Sequence, residues 1–166
     1  MNSVMVASGG GKPERWTIRR LIQTTAEYLE SKGSPSARLD TELLLARALD
    51  TDRVQLYLRM DQPLLPAELD AFRALVRRRA AHEPVAYILG RRDFYGVSLE
   101  VGPAVLIPRP ETEVLVDAVL EELPEDSQAR ILDIGTGSGA IALAVLKERP
   151  GVSAVATDVS SEALAL

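Results

Sequence analysis

Apolar residues recur at helical spacing from Thr17 to about Leu89, and at strand spacing in much of the chain beyond it. Ile18, Leu21, Ile22, Thr25 and Leu29 mark one face of a first helix, and Lys32-Gly33 is placed to stop it. The stretch "SPSARLDTELLLARALD" offers Ser34 or Ser36 as the cap of a second helix, with Leu39, Leu43, Leu44 and Leu49 as its stripe. A short segment around Val54–Leu58 comes next. Pro66 then opens "PAELDAFRALVRRRAAHEP", in which Leu69, Phe72, Leu75 and Val76 face inward and Pro84 closes the element. Several helices joined by short connections marked with Pro or Gly predict a small bundle.

Past Pro84 the period changes. In "RRDFYGVSLEVGPAVLIP", Val97, Leu99 and Val101 alternate with Ser98 and Glu100, which predicts a strand. Gly102-Pro103 suits a turn, and "AVLIP" after it would supply the partner strand of a hairpin. In "RPETEVLVDAVLEELP", Pro110 suits a first helical position, Glu111 and Glu113 suit the positive end of the helix dipole, and Pro124 stops the helix. "ARILDIG" then predicts a strand, "AIALAVLKERP" a helix ended by Pro150, "VSAVATDVS" a second strand and "SSEALAL" the start of another helix. Strand, helix, strand is a βαβ unit and implies parallel pairing. Two parallel strands cannot bury both their faces, so the pattern predicts part of a larger α/β domain.

Composition narrows the chemistry. The 166 residues contain no cysteine and one histidine, His82, so disulfides, thiolate metal sites, thiol nucleophiles and multi-histidine metal sites are excluded. No apolar run approaches the roughly 20 residues of a membrane span. "MNSVMVASGGGKPER" lacks the basic start and long apolar core of a signal peptide, and its three consecutive glycines predict a flexible lead-in over residues 1–13. A cytoplasmic protein with no membrane attachment is the expectation. Net charge is −5, unevenly spread: residues 1–90 carry 13 Lys/Arg against 11 Asp/Glu, and residues 91–166 carry 6 against 13. An acidic second half argues against direct nucleic-acid binding. The one basic cluster, Arg77-Arg78-Arg79, is expected to be a solvated helix face.

The candidate chemistry lies in "DIGTGSGAIAL", Asp133–Leu143, where Gly135, Gly137 and Gly139 sit between strand and helix. Glycines there allow a sharp turn and let a ligand approach the N–H groups at the helix start. A phosphate-binding P-loop is rejected, because Ala140-Ile141 stand where Lys-Ser/Thr would follow the last glycine. Gly135-x-Gly137-x-x-Ala140 fits a dinucleotide fingerprint, and a nucleoside ligand without phosphates, S-adenosylmethionine, is the other reading. Asp133 at the strand end is awkward beside a pyrophosphate but suits a cationic sulfonium and ammonium. Asp158, at the end of the second strand, could accept ribose hydroxyls of either ligand. The bland alternative is a tightly packed turn with Asp133 as a cap.

"ILDIGTGSGAIALAV" resembles motif I of class I S-adenosylmethionine-dependent methyltransferases. "VLIPRPETEVLV" at Val105–Val116, with "EPVAYILGRRDFYG" at Glu83–Gly96 and "ARLDTELLLARAL" at Ala37–Leu49, resembles a narrower group, the release-factor glutamine N5-methyltransferases (the HemK/PrmC family).

That resemblance implies an α/β fold: a helical-bundle N-terminal domain over residues 14–84, a β-hairpin linker over 85–108, and the first part of a Rossmann-like methyltransferase domain over 109–166. It implies methylation of the glutamine side-chain amide in the Gly-Gly-Gln motif of class 1 peptide-chain release factors. The cofactor implied is S-adenosyl-L-methionine, leaving S-adenosyl-L-homocysteine, with no metal. Asp133, Gly135, Thr136, Gly137, Ser138 and Gly139 would cradle the methionine part and Asp158 would hold the ribose. Arg109, Pro110, Glu111 and Thr112 would line the active-site rim, or else simply start a helix. The family's Asn-Pro-Pro-Tyr signature is absent from these residues. It is expected beyond Leu166, so no residue here is assigned as catalytic, and the chain by itself is expected to be inactive. An adenine N6-methyltransferase acting on nucleic acid, a dinucleotide-dependent oxidoreductase and a helical docking module for a protein partner are the competing readings.

Overall fold

The computed structural model describes residues 15–166. The lead-in expected over residues 1–13 lies outside them. The chain divides into two compact units, one ending at His82 and one running from Glu83 to Leu166.

The first unit is built from α1 (Ile18–Ser31), α2 (Ala37–Ala48), α3 (Arg53–Leu58) and α4 (Pro66–Ala80). The Thr17 hydroxyl accepts the Arg20 N–H at the start of α1, and Ile18, Leu21, Ile22, Thr25 and Leu29 are all buried, the face read from their spacing. Gly33, with φ 84°, takes the left-handed conformation that closes the helix. Leu21, Leu29, Leu44, Leu45, Leu56 and Phe72 are sealed in the core.

α2 departs from expectation. Leu39 is 41% exposed, Leu43 and Leu49 are only half-buried, and Asp40, Thr41 and Glu42 are buried beside Leu44 and Leu45. The helix packs against α1, α3 and α4, so its buried surface is wider than one leucine stripe. Neither serine caps the backbone with its side chain. The Ser34 and Ser36 hydroxyls donate instead to the two carboxylate oxygens of Asp40, at 2.6 and 2.9 Å. The expectation of a wholly solvated Arg77–Arg79 also fails at Arg79, whose Nε donates to Asp40 at 2.7 Å.

Glu42 is held as tightly. Its Oε1 accepts from Tyr57 Oη at 2.6 Å and Arg38 Nε at 3.2 Å, and its Oε2 from Arg53 Nε at 3.0 Å and Nη2 at 2.7 Å. Burial alone would push its pKa up, but the hydrogen bonds from Tyr57 and Arg53 and the guanidinium charges outweigh it, so the carboxyl titrates below its ordinary 4.5. A lowered folded-state pKa adds stability above the unfolded value, and that stability is lost as pH falls through the folded one. Thermal melts are therefore expected to show the unfolding midpoint of this unit dropping below about pH 4.5, and Glu42→Gln should flatten that acid limb. An unchanged acid limb in the variant would show that Glu42 contributes none of it.

The second unit opens with α5 (Val85–Leu89), which ends at Gly90 with φ 73°. β1 (Arg91–Phe94) and β2 (Val97–Glu100) pair antiparallel, Phe94 opposite Val97. The hairpin is thus displaced from the expected one: the partner of Val97–Glu100 precedes it, and "AVLIP" forms no strand. The turn is Tyr95-Gly96, with φ 47° and 69°, and positive φ at both residues matches the twist of paired strands. Gly102-Pro103 instead begins a tight turn in which Val105 N–H donates to the Gly102 carbonyl. The Tyr87 hydroxyl donates to the Val105 carbonyl at 2.7 Å, so that segment is used in packing.

A 3-10 turn over Pro110–Thr112 leads into α6 (Glu113–Glu122), so the α-helix starts three residues later than Pro110 suggested. β3 (Arg130–Ile134), α7 (Ala140–Glu148) and β4 (Ser153–Thr157) form the βαβ unit, with β3 and β4 parallel and Asp133 level with Ala156; α8 (Ser161–Leu164) follows. Phe94, Leu99, Val101, Val105, Val116, Ala144, Val145 and Val152 make the core, so the hairpin packs with α6 and α7. Arg149 donates from Nε to the Leu123 carbonyl and from Nη2 to that of Leu120, satisfying the end of α6. One face of the sheet is open, with Leu132 60% and Ile134 79% exposed. Among the described residues no helix is long and apolar enough to cross a membrane.

Candidate functional site

The glycine loop joins the end of β3 to the start of α7. Its Gly135, Gly137 and Gly139 have φ of 77°, 55° and 72°, a conformation that costs an L-residue roughly 1–2 kcal/mol. The N–H groups of Gly135 and Thr136 both donate to the Thr157 carbonyl, at 2.8 and 3.0 Å, tying the loop to the end of β4. Gly139 N–H donates to the Thr136 carbonyl at 2.9 Å and caps α7, and Ser138 lies half-buried in the turn between.

The two strand-end carboxylates brace this loop. Asp133 Oδ2 accepts from the Thr136 hydroxyl at 2.8 Å. Asp158 Oδ2 accepts the Gly137 N–H at 2.9 Å, and its Oδ1 accepts the Ser160 N–H, also at 2.9 Å. Hydrogen bonds from the Ser160 and Gly137 amides hold the Asp158 carboxyl below its ordinary range, so it is ionised at neutral pH. Each of its oxygens keeps a further lone pair for another donor. The amides of Ser138, Ala140, Ile141 and Ala142 have no protein acceptor among the described residues. That is the ordinary state of a helix start, and it presents N–H groups and a positive dipole end to an anionic group. One small volume therefore offers anion-binding amides beside two carboxylates.

The structure brings Asp133, Gly135, Thr136, Gly137, Ser138, Gly139 and Asp158 together. Arg109–Thr112 are not bonded to that group: Arg109, Pro110 and Glu111 are exposed, Thr112 N–H donates to the Arg109 carbonyl, and no hydrogen bond or ion pair joins the four to the loop or to Asp158 among the described residues. Sequence reasoning missed the Ser160 amide. Its signal was present in "DVSSEAL", since Ser160 also caps α8 through its hydroxyl, which accepts the Ala163 N–H.

Comparison with known proteins adds what geometry cannot. Residues 20–90 match the PrmC N-terminal domain and residues 112–166 match the methyltransferase small domain. A release factor glutamine methyltransferase of Geobacter sulfurreducens is 50% identical over 155 residues, covering 93% of this chain and 54% of that protein. Proteins of the same name from Rhodopirellula baltica and Koribacter versatilis are 45% and 43% identical over 153 and 148 residues, covering 90% and 89% of this chain and 52% and 53% of theirs. The chain spans about half the length of the curated relatives it matches. The second match lies within the second unit, the first runs from the first unit past His82 to residue 90, and across that span the chain belongs to the release factor glutamine methyltransferase family.

Proposed function

We propose that this protein methylates the side-chain amide nitrogen (N5) of the glutamine in the Gly-Gly-Gln motif of peptide-chain release factors, using S-adenosyl-L-methionine. The cofactor half of the reading rests on one observation, the glycine loop braced to Asp158 through Gly137 with open amides at the head of α7. The substrate half rests on the name borne by relatives 43–50% identical to this chain.

In this reading the loop from Gly135 to Gly139, with Thr136 and Ser138, cradles the methionine part, and the amides at the helix start receive its carboxylate. Asp133 faces the cationic groups. Asp158, ionised and with lone pairs to spare, accepts the ribose hydroxyls. When bound, the cofactor supplies a methyl group on a sulfonium, activated for transfer. Arg109, Pro110, Glu111 and Thr112 form the rim over which the glutamine loop enters. Residues 14–84 serve release-factor recognition, residues 85–108 are the linker and residues 109–166 begin the cofactor domain. An amide nitrogen is a poor nucleophile because its lone pair is delocalised, so catalysis rests on orienting it. No residue of this chain is assigned that task.

Two measurements test the proposal. Calorimetric titration of the 166-residue chain is expected to show one site for S-adenosylhomocysteine and none for NADH; the reverse would replace the methyltransferase reading with an oxidoreductase one. A protein carrying this sequence within a chain of the relatives' length should label a release factor from methyl-labelled cofactor. Label that persists when the Gly-Gly-Gln glutamine is replaced by alanine would sink the substrate assignment.

A further inference from the structure

Tyr95 occupies a position that disfavours it. Two-residue turns with positive φ at both positions favour Asn, Asp and Gly, and a tyrosine at φ 47° is held there against its preference. A side chain kept in a costly conformation points to contacts that depend on it. Tyr95 makes three kinds. Its hydroxyl donates to Asp117 on α6 at 2.6 Å. Its N–H donates to Glu113, the first residue of α6, at 3.2 Å. The carbonyls of Tyr95 and Gly96 accept from Lys147 Nζ on α7, at 3.5 and 3.1 Å.

Those partners are placed informatively. Glu113 follows Thr112 directly, so its carboxylate anchors the end of the 3-10 turn carrying Pro110, Glu111 and Thr112. Lys147 lies in the last turn of α7, whose first turn follows the glycine loop. The hairpin tip is therefore one small node bonded to both elements that lead into the proposed site. Leu99 and Phe94 root the same hairpin in the core, so the node is carried on a fixed base.

We propose that Tyr95 is a positioning residue, which fixes the start of α6, and with it Arg109–Thr112, against α7 and the glycine loop at its head. Its role at the site rests on the cofactor reading above; the tie itself does not.

Hydrogen exchange on the 166-residue chain, with and without S-adenosylhomocysteine, tests both parts. The Thr112 and Glu113 amides are good reporters because each is bonded within the 3-10 turn, to the Arg109 and Pro110 carbonyls. Without ligand, Tyr95→Phe is expected to speed their exchange about fivefold, the effect of losing one hydrogen bond, while β3 amides stay unchanged. With ligand, the parent chain should gain protection at Gly137 and at Thr112–Glu113. In Tyr95→Phe the ligand should still protect Gly137 but no longer Thr112–Glu113. Asp117→Asn, which keeps an oxygen acceptor, should behave as the parent, and Asp117→Leu as Tyr95→Phe. Ligand protection of Thr112–Glu113 persisting in Tyr95→Phe, or exchange rising evenly over residues 83–166, would overturn the proposal. If the ligand protects no amide of the parent chain, the cofactor reading fails instead. The tie is then judged by the ligand-free arm alone: a local rise supports it and no rise overturns it.

Discussion

Replacing Gly137 by valine is expected to abolish binding of S-adenosylhomocysteine while leaving the chain folded. Gly137 sits at φ 55°, where a β-branched residue is strained, and a Cβ built there meets nothing within 4 Å. The substitution therefore creates no clash inside the protein. It acts in two ways: it pulls the backbone from the conformation that aims the Gly137 N–H at Asp158, and it projects a branched side chain from the loop into the proposed ligand space. Strain and occlusion together should weaken binding about a hundredfold or more, roughly 3 kcal/mol. Gly33→Val is the matched control. Gly33 also has positive φ, 84°, with nothing within 4 Å of its Cβ, but it closes α1. Titration and thermal melts of both variants separate the effects. Comparable losses of stability with binding lost only in Gly137→Val is the expected result; equal binding by both would mean that the loop holds no ligand at this point.

What the sequence made legible was local. A strand, three alternate glycines and a helix follow one another from Arg130 to Glu148, and each glycine adopts the positive φ that justifies it. The face of α1 follows from helical spacing because that helix packs on one side. β1 was illegible for a physical reason: in "RRDF" only Phe94 is buried, so Arg91, Arg92 and Asp93 carry no alternation. The turn was disguised as well, because a tyrosine stands where asparagine would announce it. The roles of Asp133 and Asp158 were legible as acids at strand ends, but not as braces of the loop, since the Asp158–Gly137 bond spans 21 residues. The buried acids of α2 were the largest failure. A carboxylate reads as surface until its partner is known, and the Arg79 that neutralises Asp40 lies 39 residues away.

That pair carries the largest stability effect expected in the first unit. The Asp40 and Arg79 side chains are 6% and 14% exposed, and Arg79 also donates from Nη2 to the Ser34 hydroxyl at 3.2 Å. Their bond holds the end of α4 to the beginning of α2 and to the connection before it. In Arg79→Ala the Asp40 carboxylate keeps its two serine donors but loses its countercharge in a place water scarcely reaches. Removing one partner of such a pair costs about 3 kcal/mol or more, because the other charge stays buried. Arg19→Ala provides the contrast: Arg19 and Asp61 are 63% and 85% exposed, and their bond should contribute less than about 1 kcal/mol. Urea unfolding followed by fluorescence reports on this unit, since Trp16 is the one tryptophan of the chain. Combining Arg79→Met with Asp40→Leu removes both charges, so the double variant should be more stable than the sum of its single variants predicts. Strict additivity, or an Arg79→Ala loss no larger than that of Arg19→Ala, would show that Asp40 reaches water and that the pair is not what joins α2 to α4.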